Sequence, residues 1–266
     1  MIHPTAIIHP KAKVDASSNV GPYAVIDQGV ELGADCIVGP HVYLTGHTKI
    51  GKNNAFHAGC VIGDAPQDLK YKNEPTRLRI GDNNVFREHV TVHRSTKTSD
   101  ETVIGSRNFL MTHVHVAHNC IVGDDIIIAS GACLGGHAVV FDRAFISGNC
   151  LVHQFCRVGT LALMQGGSAI SKDLPPFCVA LQVNEMCGLN IVGLRRGGFN
   201  AEQRVEIKKV YQMLFRGDKN TRAAVAEAQD LFSSTTAKVL INFVASAKRG
   251  TVADVRRASA ETQEES

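Results

Sequence analysis

The chain has 266 residues, 44% of them apolar and 20% charged, with 28 basic against 25 acidic side chains. A net charge of +3 argues against a protein built mainly to neutralise nucleic-acid phosphates, and an apolar run no longer than Phe177 to Leu181 excludes a transmembrane helix. Eight cysteines form no C-x-x-C pair and the first residues carry no hydrophobic stretch, which speaks against a zinc ribbon or a signal peptide and for a reduced, cytoplasmic protein.

From the first residues onward the chain repeats every six. Stepping from Ile2 through Ile8, Val14, Val20 and Ile26 to Ile170, 26 of 29 positions are aliphatic, Met or Phe. The apolar fraction alone would give about 13. The failures are Asp68, Glu74 and Thr98. The residue after the aliphatic is often glycine (Gly21, Gly33, Gly39), and the residue two before it is mostly small (Ala24, Cys36, Cys60, Ala132). A helix cannot use a period of six and a flat strand has period two. Short strands joined by turns can, with one aliphatic pointing inward per flat side. Three sides make a coil of about 18 residues, and stacked coils make a parallel β-helix. Five cysteines fall in the small-residue phase, so they are read as reduced buried spacers with no chemistry assigned.

Residues 64–79 and 94–103 break the pattern, and the ladder then resumes in phase. They are expected to be loops extruded from the prism, a common place for function. The prism, residues 1–189, is expected to close near Pro175-Pro176 and to be followed by an α-helical domain over 190–266. There, apolar residues recur at three and four in 205–215 and 237–244. Asn200 is a candidate N-cap, Gly217 and Gly250 candidate stops, and 261–266 a frayed tail.

Twelve histidines are many for this length. Corrected for the second loop, His93, His118, His137 and His153 are expected to stack along nearly one edge, with His115 on the same short segment as His118. Stacked imidazoles beside two loops suggest a polar groove for acid–base chemistry or for metal. Two enzyme classes fit, and a scaffold with decorative histidines is a third reading. A γ-class carbonic anhydrase-like zinc hydrolyase would activate a bound water with three histidines shared between subunits. An acyltransferase would use one histidine as general base toward a sugar hydroxyl.

Specific motifs separate these classes. Gln67-Asp68-Leu69-Lys70-Tyr71 with Glu74-Pro75-Thr76-Arg77, then Val92-His93-Arg94, His115-Val116-Ala117-His118, Gly136-His137 and Val152-His153-Gln154-Phe155, occur in order, followed by Asp173-Leu174-Pro175-Pro176 and Gly188-Leu189-Asn190-Ile191. With these the chain resembles the acyl-[acyl-carrier-protein]–UDP-N-acetylglucosamine O-acyltransferases from its start to about residue 250. The resemblance implies a left-handed β-helix, a homotrimer with active sites between subunits, and transfer of an (R)-3-hydroxyacyl chain from acyl carrier protein to the glucosamine 3-position, the first step of lipid A synthesis in Gram-negative-type bacteria. No metal and no cofactor is implied beyond the phosphopantetheine that the donor carries.

By that resemblance His118 is the general base and the Gly136 N–H the oxyanion donor. Gln67, Asp68, Lys70, His93, His115, His137, His153 and Gln154 match substrate-contacting positions. Asn190 and Arg196 match positions meeting the uridine diphosphate, and Gly166 matches the far end of the acyl pocket, where glycine goes with long chains. Three departures stand out. Asn119 follows the base where relatives often carry aspartate, Gly197 stands where the basic cluster often extends, and Leu181 to Asn184 lacks a histidine found in some members. The acceptor's 3-substituent, oxygen or nitrogen, stays open. Residues 1–190 hold 15 basic and 16 acidic side chains, whereas 191–257 hold 13 and 6. The helical domain is therefore the expected dock for an acidic carrier protein, with Arg195, Arg204, Lys208, Lys209 and Arg216 as candidates.

Overall fold

Most six-residue units end in a two-residue strand, such as Val25–Ile26 or Cys133–Leu134, whose second residue points inward. Strands one coil apart pair in parallel, as His115↔Cys133 and Cys133↔Leu151 show. The result is a left-handed parallel β-helix with faces of nine, eight and eleven strands among the residues described, 1–255 of this computed structural model. The tail at 261–266 lies outside the described residues. Along the interior the ladder is buried from Val20 to Ile170, while Ile2, at the open end, is 55% exposed.

Corners explain much of the polar composition. The third residue after most ladder aliphatics has a left-handed backbone, and Asn53, Asn83, His89, His113, Asn119, Asp125 and His137 stand there with φ between 54° and 62°. Asparagine, aspartate and histidine tolerate that region better than other side-chain-bearing residues. His41, His89 and His113 are therefore corner residues, which accounts for part of the histidine excess. The small phase is buried as its size requires, and the Cys120 thiol is pushed up to about 12 by burial. Where that phase holds asparagine, the amides stack. Asn54 Oδ1 accepts from the Asn84 backbone and side chain, and Asn84 Oδ1 accepts from the Asn108 N–H, each at 2.9 Å.

Both loops are narrower than the sequence pattern suggests. Arg77–Ile80 and Glu101–Ile104 are four-residue strands paired to each other, and the first also pairs with His47–Ile50. Their alternation, Arg77 out, Leu78 in, Arg79 out, Ile80 in, is ordinary strand patterning that a search at period six passes over. The irregular segments are thus 65–76 and 94–100.

Beyond an antiparallel pair, Cys178–Leu181 with Glu185–Leu189, come α1 (Ile191–Arg196), α2 (Ala201–Phe215), α3 (Thr221–Leu231) and α4 (Thr235–Ala245). Asn200 caps α2 in a reciprocal capping box with Gln203. α3 was not expected: its buried face is Ala224, Val225 and Ala228, too small to register as a hydrophobic period. Arg157 holds this domain to the prism. It pairs with buried Asp173 at 2.7 Å, donates to the Phe243 carbonyl at 3.0 Å and lies 4.2 Å from the Phe243 ring centroid.

Candidate active site

The histidines converge at one corner but do not form a single stack. Val92 pairs with Val116, so His93 falls level with Ala117, one residue short of His118. Because Val116 pairs with Leu134 and Leu134 with Val152, His118, Gly136 and Gln154 share one column. His93 and His153 occupy the column before it, and Asn119, His137 and Phe155 the column after. Spacings of 19 and 16 rather than 18 encode these offsets of one and two residues. The rings still touch: His118 meets His137 edge-on at 5.4 Å, His93 meets His115 edge-on at 5.1 Å, and His137 stacks on Phe155 at 4.6 Å.

His118 is half-buried and its tautomer is set by its neighbour. Its Nδ1 lies 2.9 Å from Asn119 Oδ1. That oxygen also accepts from the Thr96 backbone N–H and hydroxyl, both at 3.0 Å, so it can only be the amide's acceptor end. Nδ1 therefore carries the proton and Nε2 offers the lone pair. Gly136 lies directly beneath: a Cβ there would fall 2.6 Å from His118 Cε1 and 2.8 Å from Nε2. The Gly136 N–H has no hydrogen-bond partner among the described residues and is free to donate.

Burial tunes the surrounding imidazoles. His93 is 6% exposed and its Nδ1 has no partner. Desolvation, and then His115, lower its pKa to about 4. His115 and His137 are lowered too, again chiefly by burial and then by His118. His115 Nδ1 contacts the Thr91 hydroxyl at 2.7 Å and His153 Nδ1 the Gln154 carbonyl at 3.1 Å. Unfolded His93 takes its proton near pH 6.5, whereas the folded residue waits until about pH 4. Across that window the unfolded chain binds more protons, so stability falls as pH drops, by on the order of 3 kcal/mol from this residue. Denaturation curves at pH 7 and pH 4 should show the loss, and His93→Gln should lessen it; an unchanged pH slope in the variant would refute the assignment.

Both loops reach this corner. Asp68, Asp100 and Lys97 all act electrostatically on His137. Asp68 Oδ1 accepts from the Lys70 N–H at 2.9 Å, while Gln67 and Lys70 are exposed. The first loop is clamped by Arg94, which donates to the Tyr71 hydroxyl at 3.1 Å and to the Gly63 carbonyl at 2.8 Å. Arg94, Thr96 and the structural use of Tyr71 were not read from the sequence; the only signals were the place of Arg94 and Tyr71 in the conspicuous motifs and of Thr96 in the second interruption of the repeat. From His115 and His153 an apolar groove crosses the outward side chains of Cys133, Leu151 and Ala169 to Val183. Gly166 lies off its lining, at the corner just before Ala169, where a Cβ would meet only the Gly148 carbonyl, at 3.7 Å.

Two expected members of the site stand elsewhere. Asn190 caps α1 through Gly193 and donates to the Leu161 carbonyl at 3.0 Å, so it sits, with exposed Arg196 six residues on, at the corner formed by Arg143 and Leu161. One chain therefore does not join them to the histidines. A Cβ at Gly197 would lie 2.6 Å from Arg143 Nη2, so a guanidinium already occupies that space. Of the docking candidates, Arg195, Lys208 and Lys209 are exposed, but Arg216 is spent on buried Asp254 at 2.9 Å and the Tyr211 ring. Arg216 is thereby removed from the set, and Arg204 is partly occupied by the Phe199 carbonyl.

Residues 173–252 match a family profile described as UDP N-acetylglucosamine O-acyltransferase, domain 2, and residues 29–64 and 101–136 match the six-repeat bacterial transferase hexapeptide profile. The chain is 41% identical over 255 residues to an acyl-[acyl-carrier-protein]–UDP-N-acetylglucosamine O-acyltransferase of Syntrophobacter fumaroxidans, covering 94% of this chain and 99% of that one. It is 42% identical over 259 residues to its counterpart in Herminiimonas arsenicoxydans, with 95% and 99% covered. Among solved structures, the UDP-N-acetylglucosamine acyltransferase of Francisella novicida superposes with a TM-score of 0.94 at 34% identity, over 97% of this chain and 96% of that one.

Proposed function

The chain belongs to the acyl-[acyl-carrier-protein]–UDP-N-acetylglucosamine O-acyltransferase family and is an acyltransferase, and from that premise we propose that His118 drives transfer of an (R)-3-hydroxyacyl chain from acyl carrier protein to the glucosamine 3-position of the nucleotide sugar, the cytoplasmic step that opens lipid A synthesis. The observation that carries this reading is the His118 imidazole, its Nδ1 proton held by Asn119 and its Nε2 lying over the space that a Gly136 side chain would fill. Family membership displaces the carbonic anhydrase alternative.

In this mechanism Nε2 takes the proton of the 3-hydroxyl as its oxygen attacks the thioester carbonyl. The new C–O bond leaves a tetrahedral oxyanion, which the Gly136 N–H stabilises. Collapse breaks the C–S bond, and the imidazolium returns its proton to the departing phosphopantetheine sulfur. The groove past Leu151 takes the acyl chain. Asp68 and His137 orient the sugar, while Gln67, Lys70, His93, His115, His153 and Gln154 line its approach.

Asn190 and Arg196 sit at another corner, which fits a site completed by a second copy. The outward row Val85, Phe109, Ile127, Phe145 and Leu163 on the eleven-stranded face is apolar, whereas the eight-stranded face carries Lys13, Glu31, Lys49 and Arg79 along its first coils and apolar Val103, Ile121 and Val139 beyond them. The resemblance implies a homotrimer, and this apolar row is the surface it would bury. Mixing inactive His118→Ala and Arg196→Ala subunits under exchange should then restore activity, since about one site in four would combine two intact halves. No recovery despite demonstrated exchange would place both residues' work within one subunit. Carrier protein docks on the basic helical surface of Arg195, Lys208 and Lys209.

Donor length is set at Gly166. Its backbone is ordinary and its surroundings open, whereas Gly167 takes the left-handed φ of +74°, so the turn does not require glycine at 166. Although Gly166 lies off the groove's lining within one chain, the resemblance puts the far end of the acyl pocket there, where a side chain would occupy space for terminal methylenes, each worth about 0.8 kcal/mol when buried. Thioesters of stepped length, offered with 3-hydroxyl and 3-amino acceptors, should show a long optimum near about fourteen carbons that Gly166→Met moves shorter. Equal loss with every donor would reject the ruler.

A further inference from the structure

We propose that Asp100, on the extruded loop, is a positioning residue for His118, lending the base through Asn119 the negative charge that its sequence neighbour lacks. This rests on His118 being the base. Asn119 bridges two groups: its Oδ1 faces His118 Nδ1 at 2.9 Å and its Nδ2 reaches Asp100 Oδ2 at 3.5 Å. A carboxylate on the N–H end of an amide draws density toward the oxygen, which becomes a better acceptor for an imidazolium proton. Asn119 itself could not be the charged group in this setting, because Asp100 already stands against its far end.

The loop is built to hold that carboxylate in place. Thr96 donates twice to Asn119 Oδ1, and the Asn119 N–H donates to Thr102 Oγ1 at 2.8 Å. Fully buried Ser95 donates from its hydroxyl to the Asp100 carbonyl at 2.8 Å and from its N–H to the Arg77 carbonyl at 3.1 Å. The left-handed corner at Asn119, with φ of 58°, aims the amide between loop and imidazole. The charged or titratable groups facing this assembly are His93, His115 and His137, with Lys97 and Asp68 acting on His137. Of the two acids, Asp100 alone is hydrogen-bonded into the His118 network among the described residues.

The arrangement tolerates one carboxylate and not two. Asn119→Asp would set two carboxylates about 3.5 Å apart, and such a pair shares a proton instead of ionising twice. Replacing both residues, as Asn119→Asp with Asp100→Asn, keeps a single charge and moves it next to the ring.

The test is the pH profile of kcat for the wild type, both single variants and the double variant, with KM for both substrates and with His118→Ala as control. Asp100→Asn should lower kcat about threefold to tenfold and move the acidic limb down by roughly half a pH unit, with KM unchanged, because a charge favouring imidazolium is gone. Asn119→Asp should raise the limb little in the presence of Asp100 and clearly in its absence. An unmoved limb in Asp100→Asn, or strictly additive single variants, would overturn the proposal while an inactive His118→Ala leaves the base assignment standing. An active His118→Ala would remove the base and this inference together. Asp100 is exposed and the replacement isosteric, so loss of folding does not confuse the reading.

Discussion

His118→Ala should lose roughly 10² to 10⁴ in turnover, the usual contribution of a positioned general base, and remain folded. The side chain is half-buried at a corner and contributes nothing to the aliphatic ladder, where His118's neighbours Val116 and Cys120 are fully buried. Circular dichroism and the thermal midpoint should therefore stay close to wild type while the rate collapses. The loss should be smaller with a 3-amino acceptor, since a neutral amine attacks a thioester without first giving up a proton. Near-normal turnover with the hydroxyl acceptor would move the base elsewhere. His115, held by Thr91 and three residues away, is then the next candidate.

Gly136→Ala is the second large effect, and it separates geometry from chemistry. The variant keeps every titratable group. Its added methyl would fall 2.8 Å from the reacting Nε2, so the imidazole must move by something approaching an ångström. Misplacement on that scale costs about 10²-fold. Gly136 has no left-handed backbone and its corner neighbour His137 carries the strained φ of 61°, so alanine at 136 is compatible with the fold. kcat should fall with little change in nucleotide-sugar affinity. Full activity would mean that His118 works in a position other than the one seen over Gly136.

Much of this could be read in advance because the β-helix writes its core into the sequence at one residue in six. Val20 to Ile170 are buried as the ladder requires, and the five cysteines of the small-residue phase are buried with them, whereas Cys133, outside that phase, faces the groove. What escaped were features with another period or none. The strands at Arg77–Ile80 and Glu101–Ile104 alternate by two inside apparent loops, and α3 hides its face in alanines. The number of histidines had two sources, since His41, His89 and His113, outside the candidate set, serve left-handed corners. The site's first ring came from motif resemblance and register, but its supports did not. Thr96 and Asp100 lie 23 and 19 residues from Asn119, at distances that only the folded coil closes. Nor could spacing separate the Asn190 and Arg196 corner from the histidine corner, because both repeat with the same coil.

The central claim is acyl transfer from a carrier-protein thioester to the nucleotide sugar, and product analysis reads it directly. Purified protein incubated with (R)-3-hydroxyacyl carrier protein and UDP-N-acetylglucosamine should yield the 3-acylated nucleotide sugar and free carrier-protein thiol in equal amounts, with no added metal. Replacing His118 by alanine should abolish both products together. Thioester consumption without acylated sugar, or turnover confined to zinc-loaded protein acting on carbon dioxide, would contradict it.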